Sequence, residues 1–163
     1  MRSERLIYHR LSHEHYEDYA SWYSNPAVAK FITGEPLSTE AIRARFARAR
    51  QTNTVASEMG WYLCYLKDEG AFVGIAKLIP IEIDGEHSAA EVGYGSLPQF
   101  WGQGIATEML QAILALAKER EVHHLVGIVN EENSASIRVL DKFGFRMDAE
   151  EIDGAHRYCL TIP

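Results

Sequence analysis

The chain has 163 residues, 47% hydrophobic and 24% charged, with a formal net charge of -7. That length suits one well-buried domain spanning 1–163, and the composition is globular rather than disordered. The acidic balance disfavours a broad phosphate-backbone footprint, so no direct nucleic-acid partner is expected. It suits either a cationic or amine-bearing substrate or plain surface solubility.

Taken in order, Arg5 to Leu11 alternates as a first strand. The opening segment lacks an apolar signal core and no run is long enough to span a bilayer, so a cytoplasmic protein without a membrane partner is expected. A helix starts near Ser12, presents Tyr16, Tyr19, Ala20 and Tyr23 on one face, and ends near Asn25-Pro26. Gly34-Glu35-Pro36 is a loop, and Ser38 opens a helix from Thr39 to Gln51. Its Arg43, Arg45, Arg48 and Arg50 read as an exposed face, with a nucleic-acid patch as the alternative. Trp61–Leu66 and Ala71–Ile83 are two strands joined by the hairpin signal Lys67-Asp68-Glu69-Gly70. Asp84-Gly85-Glu86 turns into a third strand, Ser88–Leu97, which makes an antiparallel meander. A helix over Gly104–Glu119, a strand over His124–Val129 and a helix from Asn133 that stops at Gly144 follow. Two strands, Phe145–Ile152 and His156–Thr161, close the chain around Asp153-Gly154. Cys64 and Cys159 lie in apolar runs and read as buried free thiols of a reducing compartment. His13 and His15 suit an exposed helix start better than a metal site, and no metal is expected.

The stretch Glu91–Leu110 organises the rest. It passes from a strand through Trp101-Gly102-Gln103-Gly104-Ile105-Ala106 into an amphipathic helix. A helix opening from a glycine turn presents unpaired N–H groups and the positive end of its dipole, which makes an anion site suited to phosphate.

With these motifs in place, the chain resembles the GCN5-related N-acetyltransferase (GNAT) superfamily. Within it, the resemblance is to the branch of ribosomal-protein-alanine N-acetyltransferases (RimJ/RimL-like). Trp22-Tyr23-Ser24-Asn25-Pro26-Ala27-Val28 resembles that branch's Trp-x-x-Asn-Pro-x-Val segment. Glu91-Val92-Gly93-Tyr94, the loop from Trp101 to Glu108 and the run from Asn133 to Phe145 match its strand, coenzyme loop and following helix. The resemblance implies an α/β (α+β) GNAT fold: a mixed, mostly antiparallel sheet of about seven strands flanked by about four helices. It implies acetyl-CoA as cosubstrate and a primary amine as acceptor, either a small molecule or a protein N-terminus. Homodimers are common among such enzymes, and no sequence feature here selects one.

The coenzyme-binding residues so implied are Ser96, Leu97, Gly102, Gln103, Gly104, Ile105, Ala106, Thr107, Asn133 and Ser136. The backbone amides from Gly102 to Thr107 meet the diphosphate, and the pantetheine arm pairs like an added strand between the strand ending at Leu97 and that of His124–Val129. Asn133 either contacts the arm, caps its helix, or does both. Trp101 stands where the loop usually carries Arg or Gln.

Glu91 is the candidate catalytic residue, as general base for the attacking amine. Its strand face holds Gly93 and Gly95, expected to leave space beside the carboxylate; an exposed strand glutamate or an ammonium-binding one are the alternatives. The tyrosine that often protonates the leaving thiolate is replaced by Leu140, so solvent, the amine or another residue supplies that proton. Tyr94 is one substitute, although its parity with Val92 predicts core packing. Trp22, Tyr23 and Phe31 either line an acceptor pocket or pack in the core. The competing functional class is a non-catalytic acyl-CoA-binding or interaction module.

Overall fold

The computed structural model describes residues 1–55, 58–83, 86–152 and 155–163, and for 83, 86–88 and 149–152 the backbone alone. The expected turn residues Asp84-Gly85 and Asp153-Gly154 fall outside these.

The strands are β1 (Leu6–Arg10), β2 (Gly60–Leu66), β3 (Phe72–Ile83), β4 (Glu86–Ser96), β5 (His124–Asn130), β6 (Arg146–Ile152) and β7 (Ala155–Thr161). They form one seven-stranded sheet in the order β1-β2-β3-β4-β5-β7-β6. β4 and β5 pair in parallel, whereas the other neighbours are antiparallel. The helices are α1 (Tyr16–Ser24), α2 (Pro26–Ile32), α3 (Thr39–Val55), α4 (Ile105–Glu119) and α5 (Ser134–Lys142).

The fifth helix, α2, is additional to the sequence expectation. Asn25-Pro26 ends α1, and it also starts the next helix. The Asn25 side chain accepts from the amides of Ala27 (3.0 Å) and Val28 (3.4 Å), and Pro26 takes the first helical position, where its missing N–H costs nothing. Gly34 then ends α2 with φ +80° and its amide on the Ala29 carbonyl (2.9 Å). Past Gln51, α3 continues to Val55, because Asn53 ties it to the sheet. Its side chain donates to the Trp61 carbonyl (2.9 Å) and accepts from the Trp61 amide (2.7 Å).

The two faces of the sheet bury separate cores. On one, Ile105, Met109, Leu110, Ile113, Leu116 and Ala117 of α4 cover Ala76, Leu78, Ala90 and Val92, with Leu140 of α5 and Phe145 beside them. Seven apolar α4 residues share that stripe, as the helical period requires. On the other face, Tyr19, Trp22 and Tyr23 of α1 and Ile42, Phe46 and Ala49 of α3 pack over Leu63, Ile75 and Leu97. Cys64 is fully buried, and burial pushes its thiol well up from its ordinary pKa, leaving it a small core hydrophobe. Cys159 departs from the expectation of burial: it is half-buried beside Asp148. Among the described residues no helix is long and apolar enough to cross a membrane.

Candidate active site

β4 and β5 stay paired only from Ala89–His124 to Val92–Gly127. Beyond Val92 the strands diverge, although β4 runs on to Ser96 and β5 to Asn130. A cleft of about 550 Å³ opens there, between the divergence, the start of α4, α5 and the α1–α2 corner. That volume is in the range of pockets that enclose small ligands. Of the residues expected from sequence, Ser96, Gly102, Gly104, Ile105, Ala106, Thr107, Asn133 and Ser136 line it. Trp22 and Phe31 line it as well, and its charged lining residues are Arg138 and Lys142 of α5 together with Glu132.

Leu97 does not join them. Its amide donates to the Val73 carbonyl (2.8 Å), its carbonyl accepts from Phe100 (2.9 Å), and its side chain is buried in the α1–α3 core. Its amide and side chain are thus engaged elsewhere, and its carbonyl already accepts one bond. Gln103 also lacks a side chain in the cleft: it donates to the Gln99 carbonyl (2.9 Å), so only the backbone of Gln103 serves the loop. Trp101 takes a structural part instead of the usual Arg or Gln. Its indole N–H donates to the Ser96 carbonyl at 2.6 Å and holds the loop against the end of β4.

The loop itself is a cradle of backbone donors. Gly102 (φ +73°) and Gly104 (φ +76°) both sit in the left-handed region that only glycine enters without strain. Alternating such residues with ordinary ones turns successive N–H groups to one side, the nest that binds anions. The first helical bond of α4 runs from Glu108 N–H to the Gly104 carbonyl (3.1 Å), so the amides of Ile105, Ala106 and Thr107 precede the helical ladder. A Cβ built on Gly102 would meet no protein atom within 4 Å, so the space in front of the loop is open. The donor set fits a diphosphate.

The loop is clamped from the far end of the chain. Arg5 donates from Nε to Glu108 Oε2 (2.7 Å), from its amide to Glu108 Oε1 (2.6 Å) and from Nη1 to the Gln103 carbonyl (2.9 Å). Burial alone would push the Glu108 carboxyl up, but the Arg5 amide, Ser3 and the guanidinium outweigh it and hold it below the ordinary value.

Comparison with known proteins fits this geometry. The family model described as an acetyltransferase (GNAT) domain matches residues 5–146. The chain belongs to the GNAT acetyltransferase family. Among curated relatives, the uncharacterized N-acetyltransferase YnaD of Bacillus subtilis is 26% identical over 147 residues, 90% of this chain and 82% of the relative. An acetyltransferase structure from Agrobacterium tumefaciens superposes with a TM-score of 0.82 at 20% identity, covering 99% of this chain and 94% of that one. The structure of RimL, a ribosomal alpha-N-protein acetyltransferase, in complex with coenzyme A superposes with a TM-score of 0.79 at 21% identity, covering 98% and 96%. These likenesses carry the fold.

In this N-acetyltransferase, Glu91 lies on β4 one register step before the strands part, opposite Val126. The space expected beside it is filled. A Cβ on Gly93 would fall 2.5 Å from Lys77 Cε, and one on Gly95 would fall 2.7 Å from the Trp22 ring. The glycines let Lys77 and Trp22 lie flat on the sheet. Lys77, paired with Gly93, crosses it diagonally to Glu91 Oε1 (2.5 Å) with its ammonium 5.0 Å from the Trp61 ring centroid. Sequence reasoning missed Lys77. The available signal was a lone charge breaking the apolar run from Val73 to Ile79, opposite a glycine.

Tyr94 packs against the α4-side core, as its parity with Val92 predicts, and its phenol also reaches the cleft. It lines the cleft, donates to the Ser136 carbonyl (3.1 Å) and accepts from the Ser136 hydroxyl (3.3 Å). Burial raises its phenol to about 12, against a smaller lowering from Ser136, so the proton stays on at neutral pH. Leu140, where the family's tyrosine is usual, is 2% exposed and packs against Gly127, inside the core. Asn133 caps α5 through Oδ1 on the Ser136 amide (3.1 Å), and because it also lines the cleft its amide nitrogen remains for a ligand. Val28 and Ile32 of α2 line the cleft as well and were missed with their helix.

Proposed function

We propose that this enzyme transfers acetyl from acetyl-CoA to a primary amine, either a small-molecule amine or a protein N-terminal α-amine, by direct attack on the thioester. The observation that carries this reading is the parting of β4 and β5 beside an open amide cradle. The cleft supplies anion donors at one mouth and, along its length, the edge of β4 where β5 no longer pairs with it. The Leu97–Val73 bond and the alternation of an antiparallel ladder commit the backbone groups of Gly93 and Gly95 to β3 and turn those of Tyr94 and Ser96 toward β5, the Ser96 carbonyl already accepting from the Trp101 indole. That edge would pair with the amide-bearing pantetheine arm, while Gly102, Gly104, Ile105, Ala106 and Thr107 would hold the diphosphate and Asn133 and Ser136 the arm's flank. The cosubstrate supplies the activated acetyl thioester.

Glu91 would accept the proton that the attacking amine sheds, directly or through water, with Lys77 fixing the carboxylate's direction. Tyr94 would donate its phenolic proton to the leaving sulfur, the role for which Leu140 has no proton. An E91Q variant is expected to lose about a hundredfold in kcat/KM, the lower range of general acid–base effects, together with the acid limb of the pH profile. An unchanged rate and profile would remove Glu91 from this role.

A further inference from the structure

The sheet face that carries Glu91 holds more positive charge than a proton acceptor needs. Lys77 already pairs with Glu91, and both side chains are mostly enclosed, 19% and 25% exposed. A second cation stands on the same face. Arg45 projects from α3, the helix that covers this side of the sheet, and was expected from sequence to be solvated with its three neighbours. Instead it is half-buried, with its guanidinium carbon 5.0 Å from the Tyr23 ring centroid. Its Nε is fully enclosed and has no hydrogen-bond partner. Among the described residues no carboxylate forms an ion pair with Arg45, although it is close enough to Glu91 to interact with it electrostatically.

Enclosing the Nε of a guanidinium without an acceptor is costly, and arginine cannot relieve the cost by losing its proton. An exposed helix position would have avoided it. Around the proposed base there are thus two cations to one carboxylate, a local reversal in a chain of net charge -7. A plain cationic amine or a polyamine would meet repulsion there. An amine that carries its own anionic group would not, because its ammonium can approach Glu91 while its acid group takes the guanidinium, which beside Tyr23 has no carboxylate partner among the described residues.

We propose that the acceptor is an amine bearing a carboxylate, and that Arg45 is the specificity-determining residue that holds this carboxylate while the amine is placed at Glu91. The proposal rests on the acetyl-transfer reading above. Tyr23 holds the guanidinium in place, with its ring centroid 5.0 Å from the guanidinium carbon, and a positioned guanidinium fork is what carboxylate recognition uses.

The test measures coenzyme-thiol release with matched pairs of free amino acids and their C-terminal amides, for the wild type and R45M, alongside acetyl-CoA binding by calorimetry. For the wild type, kcat/KM is expected to favour the acid over its amide by roughly ten- to a hundredfold, the worth of a charge-assisted bond. In R45M that ratio should fall toward one, with acetyl-CoA affinity unchanged. Acid and amide used equally by the wild type, preferential use of polyamines, or an R45M variant that keeps the ratio each overturns the proposal and leaves the transfer reading standing. The wild-type ratio decides the matter even if R45M does not fold. Tight acetyl-CoA binding without thiol release from either member of any pair, or from any simple amine, overturns both.

Discussion

The Arg5 clamp allows a quantitative test of what organises the coenzyme loop. Truncation to alanine removes the bonds from Nε to Glu108 and from Nη1 to the Gln103 carbonyl, but leaves the backbone amide on Glu108 Oε1. The guanidinium is 44% exposed, so its own loss is screened and worth little, whereas the carboxylate is only 12% exposed and is left with part of its donor set. Stranding an enclosed acceptor in this way costs about 1–3 kcal/mol. Taking about 2 kcal/mol, the melting temperature should fall by roughly 4–8 °C for a domain of this size. The freed Gln103 carbonyl also lets the Gly102–Gly104 cradle sample arrangements in which its amides no longer converge, which should weaken acetyl-CoA binding by about tenfold, near 1.4 kcal/mol. Thermal unfolding and calorimetry read the two effects separately. R5K, which keeps the charge but cannot reach both acceptors as a fork, should fall between wild type and R5A. Phosphate-free pantetheine serves as a control, because it never touches the cradle. If R5A melted and bound acetyl-CoA like the wild type, or weakened pantetheine and acetyl-CoA alike, the loop would be ordered without Arg5.

Three further outcomes follow from the same geometry. G102A meets no protein atom, so its stability cost should stay near the 1–2 kcal/mol of a left-handed alanine; acetyl-CoA affinity should fall by more than that, and equal losses in the two measurements would refute the cradle. Y94F should lower kcat by roughly ten- to a hundredfold, at or below the usual range for a proton donor because a thiolate leaves readily, with little change in KM for acetyl-CoA. An unchanged kcat would return the proton to solvent. The depressed Glu108 pKa adds stability that is fully present above the ordinary carboxylate value of 4.5 and lost as pH falls through the lower folded value. The melting difference between wild type and E108Q should therefore be largest near neutral pH and close in acid, and a difference independent of pH would contradict it.

The order of strands and helices was written into the sequence where period and punctuation agree. The alternation of β4, the long apolar stripe of α4 and Gly144 after α5 are local features, and they survive in the fold because the tertiary contacts reinforce them. Asn25-Pro26 shows the limit of that reading: one dipeptide ends α1 and caps α2, and only its second meaning brings Val28 and Ile32 to the cleft.

The loop proposed to hold the coenzyme was legible for the same reason. Gly102, Gly104 and the start of α4 are contiguous, so their amides converge whatever the rest of the chain does. The proposed acceptor half draws on β3, β4, α1 and α3, which are distant in sequence. No local pattern could tell that Lys77 crosses Gly93 to Glu91, that Arg45 turns inward onto Tyr23, or that Leu97 spends its backbone on Val73 and Phe100. Parity placed Tyr94 with the core residue Val92, and it packs on that core; that its phenol also meets the cleft follows from β5 no longer pairing with β4 beyond Val92. The sequence by itself determined the family, the sheet and the glycine loop that opens α4. The tertiary structure alone decided which charges surround Glu91, because charge pairing depends on distance in space, and here that distance is set by how the α1–α3 layer lies on the sheet.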